Sequence, residues 1–352
     1  MLDKLVSSIP SKADGVLIVS ETNRRYFISF SSSDGVLLAT KNGSVFLTDS
    51  RYIEEAQNVV KNCEVEELKK ASEQLPELCR RLGVRTLMVE SDRLTVSELK
   101  AYRKMLKGIL LTTVGTDKLI DELRAVKSEY ELDSIIKAQR IAEKAFDHIL
   151  GFIKEGVTEK EIALGLDFFM LKNGAEAISF ETIAISGANT SKPHGVPTDK
   201  KVCNGDFITM DYGAVVNGYH SDTTRTIAVG EISSAQAEVY ETVLEAQLRA
   251  LATLKEGVKG CEADAAARNY INEKGYGEYF RHSTGHGVGL EIHEKPNLSP
   301  KNYKRLQSGN VVTIEPGIYI PGSFGVRIED MAIITKNSCE ILTKISKKLI
   351  KI

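Results

Sequence analysis

The stretch KEGV occurs twice in this chain, at 154–157 and at 255–258. The offset of 101 continues past it: Glu161 maps onto Glu262 and Gly174 onto Gly275. Both copies precede helix-like segments that end at a glycine, KNGAE and EKGYGE, a common helix stop. A period this long is far from that of a solenoid and points to one α/β half that has been duplicated. The two halves also carry parallel chemistry. The first gives His194, then Asp211 seventeen residues on, then Asp222 eleven further. The second gives His293, then Glu315 twenty-two on, then Glu329 fourteen further. A histidine followed by two carboxylates is thus common to both.

The stretch FITMDYGAVVNGYHSDTTRTIAV (207–229) alternates like a hairpin about Asn217-Gly218, a preferred two-residue turn. That turn puts Val216 opposite Tyr219 and Gly213 opposite Asp222. Asp211 and Asp222 then become diagonal neighbours, roughly 7–8 Å apart at the backbone. The span suits a pair of metals roughly 3.5–4 Å apart. A bulge would flip one of the two aspartates to the other face. The second carboxylate pair lies on VVTIEPGIYI (311–320) and GVRIEDMAII (325–334), separated by the turn PGSFG. Glu315 ends the first strand, and Arg327 and Glu329 share a face of the next. All four carboxylates sit inside apolar strands, where a carboxylate must be paired, protonated or bound to metal.

Half of the six histidines fall in RHSTGHGVGLEIHE (281–294). His282 and His286 have the i, i+4 spacing of two metal ligands on a helix face. Gly285, Gly287 and Gly289 oppose a helix, each by about 1 kcal/mol relative to alanine. The segment reads as a loop where the backbone comes close to something. His286, set between glycines, is the candidate nitrogen ligand. Four oxygen donors and one imidazole suit Mn²⁺, Co²⁺ or Fe²⁺ better than a thiolate zinc site. The five cysteines are scattered, with no CxxC pair, and do not read as ligands or as a disulfide framework.

Length and composition set the frame. The 352 residues allow two domains, with 42% hydrophobic and 27% charged residues as in globular proteins. A net charge of -2 gives no field to draw nucleic acid or a membrane surface. No apolar run is long enough to span a bilayer, and the N-terminus lacks a secretory h-region, so a cytoplasmic location is expected. The C-terminal KISKKLIKI reads as a solvated strand end or tail.

The first 120 or so residues alternate strand-like runs (GVLIVS, DGVLLAT, SVFLTD, TLMVE) with helical patterns such as 52–60 and 71–83. This is the pattern of an α/β domain with a mixed sheet. A charged amphipathic stretch, 121–150, has helical periodicity and no glycine, and the domain boundary falls near its start.

The blocks MDYGA, SDTTRT, GHGVGLEIHE, EPGIY and VRIED resemble, in order, the five metal-ligand blocks of the pita-bread metallopeptidases. That family includes aminopeptidase P, prolidase and methionine aminopeptidase. The N-terminal part resembles the creatinase-type domain, which methionine aminopeptidases lack. The resemblance implies an α/β chain with a creatinase-like N-terminal domain at 1–122 and a duplicated pita-bread catalytic domain at 123–352. It implies a dinuclear site of Asp211, Asp222, His286, Glu315 and Glu329, with Asp222 and Glu329 shared between two divalent ions. Mn²⁺ is the first expectation, with Co²⁺, Fe²⁺ and Zn²⁺ as alternatives. His194, His282 and His293 would lie around the substrate and the developing oxyanion. Arg327 would support the ligands, Tyr319 would stand at the site edge, and Glu315 would carry the proton. The implied activity removes the N-terminal residue from peptides with proline second, with a Xaa-Pro dipeptidase (prolidase) as the alternative. A methionine aminopeptidase, a hydrolase of another amide and a non-enzymatic module that binds peptides are the remaining readings. A homodimer is also implied. NRRYF (23–27) and DSRYIEEA (49–56) place Arg, Tyr and Phe in N-terminal loops that could close the far end of the site.

Overall fold

The computed structural model describes residues 1–352 and divides into two compact units, Met1–Arg124 and Ala125–Ile352. None of its helices is long and apolar enough to cross a membrane.

The first unit is built on strands β1 (Gly15–Ile18), β2 (Val36–Thr40), β3 (Gly43–Thr48), β4 (Glu64–Glu67), β5 (Thr86–Val89) and β6 (Leu110–Thr112). They form one sheet in the order β4-β3-β2-β1-β5-β6. Pairs β3–β4, β1–β5 and β5–β6 are parallel, while β1–β2 and β2–β3 are antiparallel, so the sheet is mixed. Helices α1 (Leu2–Ser8), α2 (Glu21–Ile28), α3 (Ile53–Val59), α4 (Ala71–Arg81), α5 (Val96–Met105) and α6 (Thr116–Ala125) complete it. Leu17, Leu38, Leu47 and Leu87 of the sheet pack against Leu75, Leu78 and Cys79 of α4. The edge strand β4, sequence EVEE, has too little apolar content to announce itself; Arg81 bridges its Glu64 and Glu66.

NRRYF does not lie in a loop. It belongs to α2, which Ser20 caps through the Asn23 amide. The Arg24 guanidinium is buried and donates to the carbonyls of Ser32 and Gly35, and the Tyr26 hydroxyl donates to Leu123 O at 2.6 Å. These side chains hold the first unit together, because a buried guanidinium must find acceptors wherever the chain offers them. In the second motif Ile53 to Ala56 open α3, and Arg51 stays exposed, ion-paired with Asp49.

The second unit holds the repeat. Helix α7 (Glu129–Leu150) is followed by α8 (Glu159–Lys172), and α9 (Ser234–Thr253) by α10 (Gly260–Glu273). Helices α8 and α10 keep the 101-residue offset at both ends. The shared glutamate has one task in both copies: Glu161 accepts from the Thr158 amide, and Glu262 from the Lys259 amide, each at the start of its helix. The shared glycine stops both helices, Gly174 at φ +101° and Gly275 at φ +84°. The amphipathic stretch 121–150 is not one helix. It breaks between α6 and α7, where Ser128 and Glu131 form a capping box that restarts the backbone ladder.

Strands β7 (Ala177–Ile178), β8 (Ile183–Ser186), β9 (Phe207–Tyr212), β10 (Ala214–Val216), β11 (Tyr219–His220) and β12 (Thr223–Ala228) belong to the first half. Strands β13 (Gly285–Gly287), β14 (Glu294–Leu298), β15 (Val311–Ile314), β16 (Gly317–Ile320), β17 (Phe324–Arg327), β18 (Asp330–Ile334) and β19 (Cys339–Ile341) belong to the second. Each half has a hairpin that passes from one sheet into another. In the first, β9 pairs with β12 and then β10 pairs with β11. In the second, β15 pairs with β18 and then β16 with β17. The register is continuous across the first break: Val216 faces Tyr219 and Asp211 faces Thr224, so no bulge intervenes. Asn217 and Gly218 turn the chain at φ +52° and +77°. Each half has its own core: α7 and α8 against β9 and β10, and α9 and α10 against β15 to β18.

The lysine-rich C-terminus is not a free tail. The Ala228 amide donates to Ile350 O, and the Lys347 ammonium reaches Asp330 at 2.7 Å. A carboxylate buried under the segment gives the lysine a reason to fold back.

Candidate metal centre

The carboxylates stand where the two hairpins change sheets. Asp211 lies on β9, opposite Thr224. Asp222 falls in the gap between β11 and β12, and Glu315 and Glu329 in the gaps on either side of the β16–β17 ribbon. Gly213 makes the first crossing possible, since a Cβ there would lie 1.9 Å from the Ser221 carbonyl. His286 arrives from β13, squeezed between β14 and β15. A Cβ on Gly285 would meet Thr313 O at 1.9 Å, and one on Gly287 would meet Lys295 O at 2.6 Å. Close backbone approach, not a flexible loop, is therefore why glycines flank this histidine.

The His286 ring has a defined tautomer. Its Nδ1 faces the Gly287 carbonyl at 3.1 Å, which can only accept, so Nδ1 carries the proton. The bare Nε2 then points at carboxylates, 3.3 Å from Glu315 Oε1 and 3.5 Å from Asp222 Oδ2. Ligand atoms of Asp222, His286 and Glu329 all lie within 4.8 Å of one another. Asp211 is held by one oxygen only: Arg327 Nη2 donates to Oδ2 at 2.6 Å, while Oδ1 is buried with no partner.

Other side chains fix this cluster. The Thr224 hydroxyl donates to Glu329 Oε2 at 2.7 Å and accepts from Arg327 Nε at 3.0 Å. The Thr313 hydroxyl donates to Glu315 Oε1 and accepts from the His286 amide, both at 3.1 Å. Arg327 Nη1 donates to the Tyr319 hydroxyl at 2.8 Å, which in turn faces His282 Nε2 at 2.9 Å. His282 Nδ1 donates to the Ser283 carbonyl, so its Nε2 accepts the Tyr319 proton. Tyr319 is thus buried within a relay.

The electrostatics ask for cations. Burial pushes the Asp222 and Glu329 carboxyls well above the usual carboxylate range, and the neighbouring carboxylates push them further. Burial and Asp211 raise Glu315 to about 8 against the lowering pull of Arg327. One guanidinium faces four carboxyls, two of them buried (Asp222 and Glu329) and two half-buried, which leaves a negative excess for positive ions to balance. The donor set is oxygen and imidazole nitrogen, and one buried carboxylate oxygen lacks any partner. These residues fit a pair of divalent metals.

The remaining histidines surround this centre unequally. Burial and then Arg327 push His282 down to about 4, so it is neutral. His293 is exposed, with its ring centroid 4.2 Å from that of His286. His194 is exposed on the segment between β8 and β9, and its charge bears on both His282 and His293. The backbone next to it is anchored, since the Pro193 carbonyl accepts from Arg327 Nη1 at 3.2 Å.

Several working residues carried no sequence signal strong enough to notice. Thr224 and Thr313 look like ordinary strand threonines. Arg225 is fully buried, pairs with Asp330 at 2.7 Å and donates to the Glu329 carbonyl, fixing the backbone beside that carboxylate. Asp264 on α10 accepts from the Thr284 amide and hydroxyl and holds Arg268, which donates to the His282 carbonyl at 2.7 Å. Alternation of polar residues within SDTTRT was the available clue, because a polar side chain pointing into a core needs a partner there.

Comparison with known proteins agrees with this geometry. The model of metallopeptidase family M24 matches residues 133–336, and that of the creatinase/prolidase N-terminal domain matches 10–126. The chain is 41% identical over 339 residues to a Xaa-Pro dipeptidase of Pyrococcus horikoshii, covering 96% of this chain and 94% of that protein. It superposes on a Xaa-Pro dipeptidase from Bacillus anthracis with a TM-score of 0.96 at 44% identity, covering 100% of this chain and 99% of the other. An X-Pro aminopeptidase from Thermotoga maritima gives a TM-score of 0.92 at 37% identity, covering 100% and 99%. With its creatinase-type first unit and its duplicated pita-bread second unit, this chain is a peptidase of metallopeptidase family M24, whose members work with divalent metal ions.

Proposed function

We propose that this protein is a Xaa-Pro dipeptidase whose dinuclear centre is held by Asp211, Asp222, His286, Glu315 and Glu329. The observation that carries the reading is Asp211: Arg327 engages one of its oxygens and the other is buried, unpartnered, in a cluster of carboxyls around a bare imidazole nitrogen. The dipeptide preference is supported by the named relatives, at 41% and 44% identity over nearly the whole chain. The Thermotoga likeness supports an aminopeptidase as the second reading. Mn²⁺ is the preferred metal, since oxygen-rich sets with one imidazole suit it, and Co²⁺, Fe²⁺ and Zn²⁺ follow. A homodimer belongs to the same reading.

Two divalent ions, when bound, supply an activated water and polarise the scissile carbonyl. The chain's own residues do the rest. Glu315 takes the water's proton and returns it to the proline nitrogen, which is tertiary in the substrate and needs that proton to leave. Arg327 holds Asp211 and the Tyr319–His282 relay in place through the contacts described above. His282 stays neutral, its Nε2 occupied by Tyr319. In this reading His194 and His293, both exposed, meet the substrate and donate to the oxyanion as it forms.

The test is hydrolysis by the Mn²⁺-loaded protein of Ala-Pro against Ala-Pro-Ala, with Ala-Ala-Ala as control. The proposal expects cleavage of the dipeptide alone. Release of alanine from the tripeptide would replace it with the aminopeptidase reading. Turnover of neither would move the site to another amide, or to peptide binding without catalysis.

A further inference from the structure

His194 has to be held by something other than its own ring, because it is exposed and sits on a long connection between β8 and β9. Ser186 and Thr198, on either side of the stretch that carries His194, converge on one side chain. Glu159, the first residue of α8, is fully buried. Its Oε1 accepts from the Ser186 amide at 2.6 Å, the Ser186 hydroxyl at 3.0 Å and Asn189 Nδ2 at 3.0 Å. Its Oε2 accepts from the Thr198 amide at 2.9 Å and the Thr198 hydroxyl at 2.6 Å. Ser186 ends β8 on the outgoing side, and Thr198 is on the return, so one carboxylate ties the two stems together. Between them the chain is pinned twice more. Thr190 Oγ1 accepts from the Gly325 amide at 2.8 Å, and Pro193 O accepts from Arg327 Nη1 at 3.2 Å. His194 follows directly on that second pin.

We infer that Glu159 is a positioning residue for catalysis: by clamping both stems of the 187–198 segment it sets His194 against the metal centre. The second half makes a related use of its helix, where Asp264 on α10 grips Thr284 and, through Arg268, the His282 carbonyl. The two histidine-bearing segments are each fastened to the equivalent helix of their half by a buried carboxylate. The carboxylate form is required of Glu159 because two backbone N–H groups and the Asn189 amide all donate to it. Glutamine keeps the length, yet whichever oxygen becomes NH₂ then faces a backbone donor.

The inference rests on the proposed role of His194, and the test separates the two. Glu159→Gln, His194→Ala and the double variant are compared for kcat/KM on Ala-Pro, for bound metal by elemental analysis and for thermal unfolding. Glu159→Gln is expected to lower kcat/KM by about 10- to 100-fold, the scale of a small misplacement of a group at the reacting centre, with bound metal unchanged. In the His194→Ala background it is expected to add no more than about twofold. Full additivity would mean that Glu159 does not act through His194 and would overturn the inference. So would loss of metal in Glu159→Gln, which would route the effect through the metal centre. A His194→Ala variant as active as the parent would overturn the role of His194 itself, and the inference with it. If Glu159→Gln does not fold, Thr198→Val removes one donor at the far stem, and the same cycle with His194→Ala decides the matter.

Discussion

The Thr224 hydroxyl joins the two charges on which the site depends. It gives its proton to Glu329 and accepts from Arg327 Nε, with no exposure to solvent. Thr224→Val keeps the shape and removes both bonds. The bond from the charged Arg327 contributes about 1.5–3 kcal/mol and the bond to the Glu329 carboxyl about 0.5–1.5, so the two together contribute about 2–4.5 kcal/mol. The lower figure applies where neighbours shift to compensate. For a unit the size of Ala125–Ile352, about 3 kcal/mol corresponds to a fall of roughly 6–12 °C in melting temperature. Calorimetry of the chelator-treated protein reads that change. Glu329 also loses the donor that favours its ionised form, so Mn²⁺ binding is expected to weaken by about 10- to 100-fold, measured by titration. Thr224→Ser keeps the hydroxyl and loses only a methyl, about 1 kcal/mol. A Thr224→Val protein that melts with the parent and binds Mn²⁺ equally well would refute this reasoning.

His286→Ala and Asp222→Ala are each expected to abolish metal loading and peptide hydrolysis, checked by elemental analysis beside activity. The metal-free protein is expected to lose stability as pH rises from about 6.5 to 8. In that window folded Glu315, raised to about 8, still holds a proton that the unfolded chain has released. Below it the depressed His282 acts in the opposite sense, because the unfolded chain then binds the extra proton. Melting curves across pH, with chelator and with Mn²⁺, check the sign, and bound metal should remove the slope. Asp330→Ala strands the buried Arg225 guanidinium, and about 3–5 kcal/mol of stability should go with it, read from denaturant midpoints.

The duplicated architecture was legible because its marks are local. Glu161 and Glu262 cap helices, Gly174 and Gly275 end them, and Asn217-Gly218 makes a turn whose register follows from the period of two. Such features need only the nearest few residues to act. What stayed hidden depends on partners far along the chain. Strand β4 is an edge strand of glutamates, stabilised by pairing with β3 and by Arg81, neither of which leaves an apolar pattern. The break before Ser128 is a capping box inside an otherwise unbroken amphipathic run, where periodicity outweighed a four-residue signal. NRRYF lies in a helix and not in a loop because Arg24 finds its acceptors in the carbonyls that follow that helix. Thr224, Arg225 and Glu159 reach residues 105, 105 and 39 positions away, and composition says nothing about such pairings. Of the C-terminal lysines, Lys344, Lys348 and Lys351 are exposed as expected, while Lys347 is drawn in, because the Asp330 that claims it becomes its neighbour only once β18 is in place.

The most direct test of the dinuclear centre is a crystal grown with Mn²⁺ and measured at an anomalous wavelength for manganese. The expected result is two anomalous peaks, each in contact with side chains of the set Asp211, Asp222, His286, Glu315 and Glu329, with one peak beside the unpartnered Asp211 Oδ1. No peak among these five residues, or metal bound only elsewhere on the chain, would contradict the assignment of the site.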